Sequence, residues 1–167
     1  MIQRPTRAAF AANPDVVVDA ATPESVPRLA EIAARCYQSA FSPILEPEAL
    51  AARDAAFFEG HFADRWPRMS IATINGRVIG FSLMTDRHLD MLFVDPSDAA
   101  KGAGTLLLDQ AARMGLRSIE CFRDNDAARR FYERQGWILE RAYQREFLDK
   151  PRDFVRYVRG AAKSSNT

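Results

Sequence analysis

The twenty residues from Leu89 to Leu108 change character twice, and each change limits what the chain can fold into. Leu89-Asp90-Met91-Leu92-Phe93-Val94 is an apolar run with aromatic and β-branched members, the pattern of a mostly buried strand. Asp95-Pro96-Ser97-Asp98 ends it, because proline has no N–H to give a ladder and Asp and Ser favour turns. Lys101-Gly102-Ala103-Gly104-Thr105 then opens a leucine-rich helix. A strand, a glycine loop and a helix N-terminus in that order make an anion site. The first helical turn leaves backbone N–H groups unpaired, and the helix dipole adds positive potential there. Glycine removes the Cβ that would keep a phosphate away from the main chain.

The rest of the chain sets the frame for that site. Its 167 residues suit one domain with a sizeable core. A net charge of +1 gives no overall pull toward nucleic acid or an anionic membrane. Cys36 and Cys121 are too few and too far apart for a disulfide framework, and His61 has no partner at metal-ligand spacing, so no metal is expected. No apolar run approaches the ~20 residues of a membrane span. Arg4 and Arg7 precede Ala8-Ala9-Phe10-Ala11-Ala12, but that run is shorter than the roughly 7–15 apolar residues of a signal peptide and Asn13-Pro14 stops it. The expectation is a cytoplasmic protein with a flexible arm over residues 1–13, one domain over 14–160 and a disordered tail over 161–167.

Taken in order, Val16-Val17-Val18 predicts a first strand. Thr22-Pro23-Glu24-Ser25 predicts a helix start, with Thr22 as N-cap and Pro23 in the first turn; the helix runs to about residue 36. Residues 37–45 read as an aromatic connector and 47–62 as a second helix. Two β-rich runs, 70–74 and 78–83, flank Asn75-Gly76, a strong hairpin signal. After the glycine loop, a helix over 104–114 ends at Gly115, and Ser118-Ile119-Glu120-Cys121-Phe122 reads as a strand. Strand, helix, strand is a βαβ unit, so these two strands are expected to be parallel. Asn125 or Asp124 caps a helix over 126–135 closed by Gly136, and strands over 137–145 and 153–159 finish the chain, linked by residues 149–152.

The glycine loop fits neither of two familiar phosphate motifs. A P-loop has its lysine after the glycines, whereas Lys101 precedes them; a dinucleotide fingerprint wants a third glycine where Leu107 stands. Ala99-Ala100-Lys101-Gly102-Ala103-Gly104 instead resembles the Gln/Arg-x-x-Gly-x-Gly/Ala pyrophosphate loop of the GNAT N-acetyltransferase superfamily. About twenty residues on, Asn125-Asp126-Ala127-Ala128-Arg129-Arg130-Phe131-Tyr132 and then Gly136-Trp137 resemble that superfamily's Asn-x-x-Ala-x-x-Phe-Tyr followed by Gly-Phe/Trp. The likeness covers roughly residues 78–137. One position departs from it: Ala99 stands where the motif has Gln or Arg.

The resemblance implies a mixed α/β fold. Its central sheet would have about seven strands, mostly antiparallel with one splayed parallel pair, and about four flanking helices. It implies acetyl-CoA as acyl donor, its pantetheine lying along Leu92, Phe93 and Val94 and its pyrophosphate on Ala99, Ala100, Lys101, Gly102, Ala103, Gly104 and Thr105. Asn125, Ala128 and Tyr132 would face the thioester arm, with Tyr132 as general acid toward the CoA sulfur. A base is implied at His88 or Asp90, which lie two apart on one strand and so share a face, acting directly or through a water. The acceptor, a primary amine of a small molecule or peptide, would meet an aromatic lining of Tyr37, Phe41, Phe57 and Tyr143. A homodimer through the terminal strands is also implied. The competing class is a non-catalytic acyl-CoA-binding sensor on the same fold.

Overall fold

A computed structural model describes residues 15–160; the expected arm over 1–13 and tail over 161–167 lie outside the described residues. Seven strands form one sheet: β1 (Val16–Ala20), β2 (Met69–Ile74), β3 (Arg77–Thr85), β4 (His88–Val94), β5 (Ser118–Phe122), β6 (Trp137–Phe147) and β7 (Lys150–Arg159), in the order β1-β2-β3-β4-β5-β7-β6. Every pairing is antiparallel except β4–β5. Five helices cover its faces: α1 (Val26–Phe41), α2 (Pro47–Ala52), α3 (Ala55–Phe62), α4 (Ala103–Arg113) and α5 (Asp126–Arg134). On one face α1, α2 and α3 bury Leu29, Ile32, Phe58 and Phe62 against Phe81 and Leu83. On the other, α4 and α5 bury Leu107, Leu108 and Tyr132 against Ile79, Ile119 and Tyr157.

The fold class is as expected, with five helices where about four were anticipated. The expected helix over 47–62 is two, because Arg53 leaves helical geometry and the Asp54 carboxylate accepts the Phe57 N–H at 2.8 Å to cap a new start. The first five residues of the expected aromatic connector are instead the last turn and a half of α1, since Tyr37 and Phe41 gain burial by staying on its inner stripe, and only residues 42–45 form the connection. The final hairpin is tighter than the sequence suggests. Its turn is only Leu148 and Asp149, both at positive φ (55° and 63°), and Lys150, Pro151 and Arg152 belong to β7. Arg152 is buried and donates to the Phe147 carbonyl and to both Glu46 oxygens, at 2.8, 3.2 and 2.7 Å, which ties that end of the sheet to the start of α2. Asn75 and Gly76 take positive φ together (50° and 79°), as their hairpin requires.

Candidate active site

The parallel pair decides where the site lies. β4 and β5 are in register only at His88–Ser118 and Leu89–Ile119, and beyond Leu89 the strands separate. β4 stays paired to β3 and β5 to β7 on their outer edges, so the inner edges past Leu89 face a gap instead of each other. Main-chain groups left this way are costly unless something else bonds them. A bulge lies at the mouth of the gap: Leu83 faces Met91 and Met84 faces Leu89, leaving Asp90 as the extra residue. At the far end of β4 the Cys36 thiol donates to the Val94 carbonyl (3.2 Å). Burial pushes that thiol up to about 12, with Asp95 adding to the shift, so it stays protonated.

Two cavities meet at the gap. One, of about 170 Å³, lies between the strands and opens toward α1; Asp90, Phe93, Glu120, Phe122, Asn125 and Arg145 are on its lining, with Tyr37 and Phe41. The other, of about 520 Å³, runs from Val94 along the glycine loop to α5 and is lined by residues 98–105 together with Ala127, Phe131 and Arg134. Leu92, Ala128 and Tyr132 line both, so they mark the passage through the sheet. Tyr132 is held there from behind by the Phe131 and Tyr157 rings, centroids 5.4 and 6.0 Å away. Burial, with the nearby Cys121 thiol, pushes its phenol well above the ordinary tyrosine range, so the hydroxyl keeps its proton. Asn125 sits two turns earlier, and its side chain accepts the Ala128 N–H at 3.2 Å to cap α5.

The glycine loop is built on buried carboxylates. Asp98, 2% exposed, accepts from Arg77 at 2.8 and 3.0 Å and from Lys101 Nζ at 2.7 Å. The Arg77 contacts, helped by Lys101, outweigh burial and hold the Asp98 carboxyl far below the usual carboxylate range. Asp95, also buried, accepts the Ser97 N–H and the guanidinium groups of Arg28 and Arg35. Burial alone would raise its pKa, but the Ser97 N–H and the two arginines bring it below the ordinary value. Two residues of the loop take the left-handed conformation, Ala100 (φ 66°) and Gly102 (φ 83°), and Gly102 is the N-cap of α4. The first bond of that helix is Leu106 N–H to the Gly102 carbonyl, so the amides before Leu106 are the ones left for a ligand. Ala99 is exposed and brings no polar side chain, and Lys101 is committed to Asp98. This is an anion cradle of main-chain amides, with Arg134 as the cation across the cavity.

The site residues anticipated from sequence do not all converge. Leu92, Phe93, Val94, the loop over 99–105, Asn125, Ala128 and Tyr132 line the two cavities, as do Asp90, Tyr37 and Phe41. His88 lies outside the lining, at the closed end of the strand pair, with Nδ1 2.7 Å from Ser118 Oγ. Phe57 also lies off the lining, packed on Phe58 and His61 under the Arg53 guanidinium. Tyr143 stands one layer back, where its hydroxyl donates to Glu120. Glu120 and Arg145 went unrecognised in the sequence, although a hint was there. A parallel strand covered on both faces is expected to be apolar throughout, and Glu120 interrupts one. Among the described residues no group of three His, Cys, Asp or Glu side chains is placed to hold a metal ion, and no helix is long and apolar enough to cross a membrane.

Known proteins share this fold. Over 92 residues the chain is 29% identical to the peptidyl-lysine N-acetyltransferase YjaB of Salmonella typhimurium, covering 54% of this chain and 63% of that protein. It is 30% identical to the Escherichia coli YjaB over 74 residues, 44% of this chain and 50% of that one, so it spans half to just under two thirds of these relatives. The solution structure of apo YjaB from Escherichia coli superposes with a TM-score of 0.71 at 21% identity, over 86% of this chain and 97% of that one. PaiA N-acetyltransferase of Thermoplasma acidophilum, solved in complex with coenzyme A, gives 0.70 at 16% identity, over 87% and 99%. The acetyltransferase (GNAT) family matches residues 26–137, two thirds of the chain and the whole span from α1 to the first residue of β6. The chain belongs to the GNAT acetyltransferase family.

Proposed function

We propose that the protein transfers the acetyl group of acetyl-CoA to a primary amine by direct attack within a ternary complex. The observation that carries this reading is the passage through the sheet, with a main-chain anion cradle at one end, Tyr132 in the middle and a charged aromatic chamber at the other. Family membership supports acetyl transfer, and the coenzyme A bound to a structural neighbour supports the donor. The residues fit such a donor. The inner edge of β4 past Leu89 can accept pantetheine amides as a pseudo-strand, and the amides of Gly102, Gly104 and Thr105 can take its diphosphate.

Each step then has a group to perform it. A β4 main-chain N–H near Leu92 or Phe93 holds the thioester oxygen as charge develops on it. Tyr132, protonated and buried, donates a hydrogen bond to the departing sulfur. Asp90, unpaired at the bulge and on the chamber lining, receives the amine proton directly or through a water, whereas His88 serves to close the strand pair against Ser118. No acyl-enzyme is involved: burial pushes both Cys36 and Cys121 up to about 12, so neither supplies a thiolate at neutral pH. The lysine acceptor in the relatives' name makes a peptide lysine the first amine to try. The test is thiol release from acetyl-CoA over a panel of amines, amino acids and lysine peptides. Acceptor-dependent release is expected. A saturable thermal shift with coenzyme A but no turnover on any acceptor would instead mark a binding module.

A further inference from the structure

We propose that Glu120 sets the acceptor class, making the chamber a slot for one ammonium group carried on an apolar stem. The inference rests on the acetyl-transfer reading and names the amine that reading leaves open. Three charged side chains line the chamber: Asp90 from β4, Glu120 from β5 and Arg145 from β6. Their formal charges sum to −1, so one cation neutralises the chamber. Much of the remaining wall on the α1 side is aromatic, from Tyr37, Phe41 and Phe122, which suits a hydrocarbon stem and also attracts a cation to the ring faces.

A cross-strand ion pair that merely helps the sheet is the simpler account of Glu120, and two observations count against it. First, the Glu120 side chain is only 18% exposed, in a strand where Ile119 and Phe122 are buried. Desolvating a charge pair in such a place seldom gains stability over apolar residues of similar size. Second, it is held ionised in spite of its surroundings. Burial pushes its carboxyl up, but Arg145 and Tyr143 outweigh that and bring it below the ordinary glutamate value.

The same chamber disfavours a second positive charge. Arg145 lies on the wall itself, and the Tyr37 hydroxyl feels both Arg145 and Arg53. Once one ammonium has met Asp90 and Glu120, a second meets the Arg145 guanidinium, with no further carboxylate on the chamber lining. A lysine side chain in a peptide, or a simple alkylamine, fits this pattern, and a polyamine does not.

Binding to the coenzyme A-saturated protein tests this without turnover, using n-hexylamine, 1,6-diaminohexane and 1-hexanol as monocation, dication and neutral probes in calorimetric titrations at pH 7. Hexylammonium is expected to bind about tenfold tighter than hexanol, the scale of one charge-assisted contact, and tighter than the diamine. E120Q is expected to remove most of that preference while leaving coenzyme A affinity unchanged. Equal binding of amine and alcohol, or a diamine that binds as well as or better than the monoamine, would overturn the proposal in the wild-type protein alone, whatever the variant does. Failure of coenzyme A itself to bind would overturn the acetyl-transfer reading instead.

Discussion

The two cavities that meet at the β4–β5 gap are built from different materials. The one running toward α4 and α5 is mostly main chain: left-handed residues at Ala100 and Gly102, open amides at the start of α4, and side chains such as Asp98 and Lys101 that serve the loop. The one facing α1 is mostly side chain beyond the open edge of β4, a ring of aromatics around Asp90, Glu120 and Arg145. Main-chain recognition depends on backbone path and tolerates change at most side chains; side-chain recognition does not. The donor end is therefore held by geometry and the acceptor end by residue identity. That contrast can be broken by substitution, beginning at the point the two ends share.

Tyr132 lines both cavities, and its loss is expected to have the largest effect. Tyr132→Phe keeps the ring and removes only the hydroxyl, so turnover is expected to fall by about 100-fold or more while coenzyme A affinity changes little. A steady-state assay paired with a binding titration reads both. Unchanged turnover would show that the hydroxyl has no part in expelling the thiol.

Next comes the carboxylate beneath the loop. Asp98→Ala leaves Arg77 and Lys101 without their buried partner and is expected to cost about 2–3 kcal/mol of stability, measured by denaturant unfolding, with an accompanying rise in the acetyl-CoA KM. The pH dependence has a defined sign. Folding lowers the pKa of Asp98 and of Asp95, so their contribution is fully present above the unfolded value of about 3.9 and is lost as pH falls below it. Tm is expected to hold from pH 7 to about pH 5 and to drop below about pH 4, with a shallower drop in D98N. An equal drop in wild type and D98N would mean the Asp98 clamp does not govern acid stability.

A smaller effect is expected where the loop departs from its motif. Ala99→Gln restores a side chain that can reach the diphosphate and is expected to lower the acetyl-CoA KM by about threefold, the worth of one exposed hydrogen bond. A much larger gain would mean that the cradle depends on side chains after all and would blur the contrast between the two ends. The smallest effect lies at the last hairpin: Asp149→Gly relieves a positive φ at an exposed position and is expected to raise stability by about 0.5–1 kcal/mol without touching activity.

Much of the donor end was legible in the sequence for the same reason that it tolerates substitution. Backbone path leaves local marks: Pro96, Gly102 and Gly104, the Asn125 cap, and Gly115 and Gly136 at the helix ends, both of which take positive φ. The Asn75-Gly76 hairpin was legible on the same grounds. Two other two-residue turns, Asp86-Arg87 and Leu148-Asp149, reach the same positive φ without such residues, because the pairing of long flanking strands outweighs the local strain. The acceptor end depends on contacts between residues far apart in the chain. Glu120 and Arg145 are 25 positions apart, and only the order β5-β7-β6 brings them within reach of each other. His88 and Phe57 are of the right chemical type and lie near the chamber, but strand register and helix rotation keep them off its wall.

A crystal structure of the protein with coenzyme A tests the central claim most directly. Pantetheine is expected between β4 and β5 beyond Leu89, its amides bonded to the inner edge of β4, with the diphosphate against the N–H groups of Gly102 and Gly104 and the sulfur beside Tyr132. Pairing of β4 with β5 along their full length, or a nucleotide seated away from the glycine loop, would contradict it.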